Sequence, residues 1–183
     1  MKQESTVKYI LRLTFTLLLI CAVVAAILAG VNAITKDKIA AIQAQKTQEA
    51  IAEVLPNAQG LEEMALTGDT GIVQSVYAAG SSYAIEVAPS GFDGEITMMV
   101  GVEDGKVTGI SIISHTETPG LGAVAAAKNA KGESFRGQFE GLVSGITVGG
   151  GNNSIDAMSG ATITSKAVTA GVNAALEYAE KLG

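Results

Sequence analysis

Hydrophobic positions divide this chain into one long apolar block and a series of shorter periodic runs. From Leu13 to Ile34 the sequence LTFTLLLICAVVAAILAGVNAI carries no charged residue, which predicts a helix long enough to cross a bilayer. Beyond it, Ile39, Ile42, Ile51, Val54 and Leu55 stand among Lys, Gln, Glu and Ala. That pattern predicts an amphipathic stalk helix continuing the first helix and stopped at Pro56. Tyr83, Ile85 and Val87 then alternate with Ala84, Glu86 and Ala88, and Ile96, Met98, Val100 and Val102 repeat the alternation, so both runs predict half-buried strands. Glu103-Asp104-Gly105-Lys106 predicts a tight hairpin turn before a strand from Val107 to Ser114. Phe135, Phe139, Leu142 and Val143 fit helical spacing, Ile146 to Val148 fits a short strand, and Gly149-Gly150-Gly151 breaks the pattern. From Ser165 on, Val168, Val172, Ala175, Leu176, Ala179 and Leu182 recur as one helix face. Strands first and helices late predict an α+β fold: an N-terminal transmembrane helix, then an antiparallel sheet with helices on one face. The expected divisions are a tail over 1–12, the membrane helix over 13–34, the stalk over 35–56 and a folded domain over 57–183.

Composition sharpens this division. A chain of 183 residues that is 48% hydrophobic holds one modest domain plus more apolar material than a globular core needs. The Leu13–Ile34 block is that surplus. Val31-Asn32-Ala33 offers a signal-peptide cleavage site, but the apolar run is longer than an ordinary signal core, so a retained anchor is expected. Lys2, Lys8 and Arg12 outnumber Glu4 in the tail, which favours a cytoplasmic N terminus and an extracytoplasmic domain in the cell or plasma membrane. Cys21 lies inside the block with no small residues before it, so it reads as an apolar side chain rather than a lipidation site. As the only cysteine it allows no internal disulfide and no iron–sulfur centre. The formal net charge is -6 and its acidic excess falls outside the basic tail, which argues against nucleic acid as a partner.

The densest chemistry lies in Ser159-Gly160-Ala161-Thr162-Ile163-Thr164-Ser165, with Asp156 just upstream. Gly160 permits close backbone approach, and the hydroxyls of Ser159, Thr162, Thr164 and Ser165 can donate to phosphate oxygens at the positive end of the following helix. Spacing alone reads first as a glycine turn leading into a Ser/Thr helix cap, with Asp156 forming an Asx turn. Likewise Thr118-Pro119-Gly120-Leu121-Gly122 reads alone as a turn, and Glu117 as a solvated carboxylate. His115, the lone histidine, reads as a strand-end polar group, and Lys166 as a surface lysine. No Gly-x-Gly-x-x-Gly follows a strand, no Walker loop is present, and one histidine assembles no Ser/His/Asp set. No catalytic or metal-ligating residues are expected.

Taken together, Asp156-Ala157-Met158-Ser159-Gly160-Ala161-Thr162 and Ile163-Thr164-Ser165 resemble the flavinylation motif of the FMN-binding domain found in the G subunit of Rnf complexes and the C subunit of sodium-pumping NADH:quinone reductases. His115-Thr116-Glu117-Thr118-Pro119-Gly120-Leu121-Gly122 resembles the same family's second signature, in the expected order. The segment Gly94 to Val102 and the N-terminal anchor extend the resemblance over nearly the whole chain. It implies FMN held covalently by a phosphoester to Thr162, with Asp156 recognised by a separate flavin transferase that takes FMN from FAD with a divalent metal. It implies also that Thr118, Pro119, Gly120, Leu121 and Gly122 form the ring side of the pocket and that Glu117 orients the loop or ribityl chain. The implied function is an electron relay in an Rnf-type ferredoxin:NAD oxidoreductase that moves Na+ or H+, partnered by other membrane and redox subunits. The compactness of the chain favours the Rnf protein over its quinone-reductase counterpart. A free-standing extracytoplasmic flavoprotein and a non-redox phosphate-binding module are the alternatives.

Overall fold

The computed structural model of the chain describes residues 6–58 and 60–182. Lys2 and Glu4, which carry part of the expected tail charge, lie outside the described residues. The chain forms two compact units, Met1–Gln45 and Lys46–Gly183. The first is helix: α1 runs unbroken over Thr6–Val54, and among the described residues it is the one helix long and apolar enough to cross a membrane. Leu13 to Ile34 spans about 33 Å at helical rise, against a hydrocarbon core of about 30 Å. The large apolar side chains in that stretch, from Leu13 to Ile34, are exposed, as a lipid-facing helix requires.

The second unit is built on a five-stranded antiparallel meander, β1 (Glu62–Met64), β2 (Val73–Ala79), β3 (Ser82–Val87), β4 (Thr97–Glu103) and β5 (Lys106–Ser114), in sequential order. Ile85 pairs with Val100, and Val100 with Ile110. The Asp104-Gly105 turn, with positive φ at both residues, closes β4 onto β5 in the expected hairpin. Helix α2 (Ala130–Gly137) is capped by Asn129, whose side chain accepts from the amides of Lys131 and Gly132 at 3.1 Å each. Two short parallel strands, β6 (Thr147–Val148) and β7 (Ser154–Ile155), follow, and α3 (Thr162–Leu182) ends the domain.

One core fills the space between the sheet and α3. Ile85, Val87, Met98, Val100 and Val102 face Val168, Val172, Ala175, Leu176 and Ala179, with Phe135 and Phe139 meeting edge to face at 5.6 Å beside them. Each fully buried aliphatic side chain contributes about 2 kcal/mol. The opposite face is not open. Ala50, Ile51 and Val54, at the end of α1, and Leu55 just past it pack on Ala84 and Met99, and the Thr108 hydroxyl donates to the Val54 carbonyl at 2.7 Å. Helices therefore lie on both faces of the sheet. Alternation assigned Ala84 to the outer face correctly; it is nonetheless buried, because the apolar end of α1 covers it.

Candidate functional site

Two turns of one type meet at the edge of this core. In Met158–Ala161 the Ala161 amide donates to the Met158 carbonyl at 3.0 Å, and Gly160, the third residue, has φ +74°. In Thr118–Leu121 the Leu121 amide donates to the Thr118 carbonyl at 3.2 Å, with Pro119 second and Gly120 third at φ +78°. A positive φ at the third position alone defines a type II turn. The turns touch: a Cβ on Gly160 would stand 3.1 Å from Leu121 Cδ2. Gly160 is needed both for its backbone conformation and for the room it leaves.

Between the turns lies a cleft of about 340 Å³ lined by Phe92, Glu117, Thr118, Leu121 and Gly122 on one side and by Gly160 to Thr164 on the other. Thr162 is exposed and is the first residue of α3. The leading amides of a helix have no acceptors within it, and they sit at the positive end of its dipole. No acidic residue occupies that first turn. Ser159 is exposed nearby and so is Lys166. The remaining hydroxyls are committed within the protein. Ser165 Oγ donates to the Ala161 carbonyl at 2.9 Å and accepts from the Met158 amide at 3.0 Å, locking the turn onto the helix. Thr164 Oγ1 donates to Glu117 Oε2 at 2.5 Å.

Glu117 is only 5% exposed, and its other oxygen is occupied too. Oε1 accepts from the amides of Phe92 at 2.7 Å and Asp93 at 3.3 Å. Burial pushes its pKa up, but the Thr164 hydroxyl, the two amides and the neighbouring His115 charge outweigh burial and hold the carboxyl below its ordinary value. Gly122 completes the arrangement, since a Cβ there would collide with both the Glu117 carboxylate and the Thr164 hydroxyl. His115 Nδ1 is buried with no hydrogen-bond partner.

Asp156 is not among the residues lining the cleft, and its side chain is exposed. Its backbone is gripped by Gln138, whose Oε1 accepts the Asp156 amide at 2.7 Å while Nε2 donates to the Asp156 carbonyl at 3.4 Å. Sequence reasoning missed Gln138, and also Phe92 and Ile163. Nothing in the local sequence marks Gln138 or Phe92, which join the site only through the fold; Ile163 stands inside the Ser159–Ser165 segment, whose hydroxyls rather than its apolar side chain carry the sequence reading.

Comparison with known proteins gives the cleft a context. The FMN-binding domain family matches residues 91–177, and the RnfG N-terminal region matches residues 1–54. The G subunit of the Na(+)-translocating ferredoxin:NAD(+) oxidoreductase complex of Acetobacterium woodii is 35% identical over 96% of this chain and 94% of its own. The G subunit of the ion-translocating oxidoreductase complex of Methanosarcina acetivorans is 33% identical over 93% and 95% respectively. Among solved structures, the C subunit of the Na(+)-translocating NADH-quinone reductase of Parabacteroides distasonis shares the fold, with a TM-score of 0.53 and 18% identity over 75% of this chain and 94% of that one.

The residues present fit FMN. The cleft falls within the range of about 300–1,000 Å³ usual for small-molecule sites. It is lined by the first residues of α3, with the exposed Thr162 hydroxyl, and by the apolar side chains of Phe92, Leu121 and Ile163. Matched along nearly its full length by these relatives and carrying both family regions in order, the chain belongs to the RnfG family, the G subunits of ion-translocating oxidoreductase complexes.

Proposed function

We propose that this protein is the membrane-anchored flavin subunit of an Rnf-type ferredoxin:NAD oxidoreductase, with FMN joined covalently to Thr162 and its folded domain outside the cytoplasm. The observation that carries the reading is the exposed Thr162 hydroxyl, which opens α3 at the polar end of the cleft and directly follows the Gly160 turn. FMN supplies reversible electron uptake and release when bound, and the chemistry is the cofactor's. The chain's own residues bind and orient. The leading amides of α3 and Ser159 hold the phosphate, and Lys166 offsets part of its charge. The turn from Thr118 to Gly122 forms the wall for the ring, while the core beneath excludes water. Asp156, held by Gln138 with its carboxylate outward, is presented to the flavin transferase.

A covalent bond suits a cofactor outside the cytoplasm, where a lost flavin has no cytosolic pool to replace it. Electrons reach and leave this domain through membrane and redox partners of the complex. The decisive experiment is the intact mass and visible spectrum of protein co-expressed with a flavin transferase. A mass increase of FMN less one water, the transferase having released AMP from FAD, with a flavin spectrum that survives denaturation supports the reading. A colourless protein of unmodified mass favours the non-redox binding module instead.

A further inference from the structure

We propose that Phe92 is a further wall of the flavin site, lying against the isoalloxazine ring, and that Glu117 is the positioning residue that holds it there. The inference rests on the flavin reading of the cleft. It adds to that reading a ring contact outside both signature segments, and it gives the buried carboxylate a role other than ligand.

Phe92 is out of place for a folded domain. Its side chain is 66% exposed, whereas Phe135 and Phe139 are buried in the core. Covering a phenylalanine side chain is worth about 1.5–3 kcal/mol, so its exposure is explained if something apolar covers it. Leu121 at 44% and Ile163 at 54% are also exposed. The three come from separate segments, and all of them line the same cleft into which Thr162 opens. An apolar patch gathered around a concave site marks a binding surface. A large planar aromatic group tethered at Thr162 would reach all three walls.

The backbone under Phe92 is fixed although its side chain is free. The Gly91 amide donates to the Gly94 carbonyl at 2.7 Å, closing a turn. Glu117 Oε1 takes the amides of Phe92 and Asp93, and the Thr116 hydroxyl donates to the Asp93 carbonyl at 2.7 Å. An aromatic side chain on an immobilised turn is preorganised, so little freedom is lost when a ring docks against it. The same carboxylate accepts the Thr164 hydroxyl through Oε2. It therefore ties the Phe92 turn to the helix that bears Thr162, two residues from the attachment point. With both oxygens already accepting hydrogen bonds and the group buried, Glu117 acts on the cofactor through the Phe92 turn that it holds.

The test uses full-length protein in detergent, co-expressed with a flavin transferase and checked by intact mass for one FMN. Iodide quenching of flavin fluorescence reads ring exposure, and visible circular dichroism reads ring orientation. Phe92→Ala should keep the adduct while quenching rises toward that of the denatured protein and the visible dichroism diminishes; Phe92→Tyr should match the wild type. Glu117→Ala, which removes the acceptor for both amides, should move both signals the same way and add nothing further in the Phe92→Ala background. Because Phe92 is exposed, Phe92→Ala keeps its fold and the test does not depend on the Glu117 variant being stable. Normal quenching and dichroism in flavinylated Phe92→Ala overturn the proposal. If that variant instead loses co-purifying membrane partners with its flavin signals intact, the patch docks protein, and the proposal is again overturned. Absence of FMN from the wild type would sink the flavin reading itself, a separate failure.

Discussion

The Thr164 hydroxyl donates to the Glu117 carboxylate across 2.5 Å, joining residues 47 apart in sequence. This bond separates two neighbouring threonines by role. Thr162 faces outward at the start of α3, while Thr164 is buried and committed to the loop. Thr162→Val should abolish flavin fluorescence on denaturing gels. Thr164→Val should keep the adduct and lose about 1–3 kcal/mol of stability, because a buried acceptor on Glu117 is left unpaired. If Thr164 alone proves necessary for attachment, the assignment of the tether to Thr162 is wrong.

Glu117 makes a signed prediction about acid. Its carboxyl titrates below the ordinary value of 4.5 in the folded protein, so on acidification the unfolded chain takes up its proton first. The stability it contributes is complete above 4.5 and drains away as pH falls through the folded-state pKa. Thermal melts between neutral pH and the acid limit should fall more steeply for the wild type than for Glu117→Gln. Equal slopes would remove the carboxylate from the account.

The Thr118–Leu121 turn depends on Gly120 at φ +78°, a conformation that costs a side-chain-bearing residue roughly 1–2 kcal/mol. If the turn forms the ring's wall as proposed, Gly120→Val should shift the flavin's absorption or potential more than it lowers attachment, because the turn carries no residue of the attachment segment. A folded variant with an unchanged spectrum and potential would show that this turn is not the ring's wall.

Topology can be read directly. With α1 retained in the membrane and its N terminus in the cytoplasm, protease added to intact protoplasts or spheroplasts should digest the domain around Thr162 and leave the anchor in the membrane fraction. Full protection until lysis would place the flavin on the cytoplasmic side.

Period-two alternation revealed β3 and β4 because the large core lies on one side of each strand. It did not reveal that Ala84 is covered, since the covering residues Ile51 and Val54 belong to a helix whose own pattern carries no address. The two-residue strand β7 and three-residue β1 are too short for any period to register. Helix α3 begins at Thr162, three residues before its apolar face becomes readable at Ser165, because Thr162, Ile163 and Thr164 are β-branched and weak helix formers. There the preceding turn and the Glu117 bond set the start. The two signature segments were legible in the sequence, and the fold brings them to one cleft. The Phe92 turn was not, as its anchors are backbone amides, which every residue but proline possesses.

The helix bearing Thr162 is packed along its length against the sheet, while the turn from Thr118 to Leu121 rides on the surface. A cofactor tethered at Thr162, as proposed, would thus be mounted like an instrument with a fixed base and an adjustable head. On that reading, substitutions in the turn would alter the flavin's surroundings without moving the point of attachment. Substitutions at Val172 or Leu176, deep in the core and far along the helix, would do the reverse: they would shift the base and carry the whole cofactor with it.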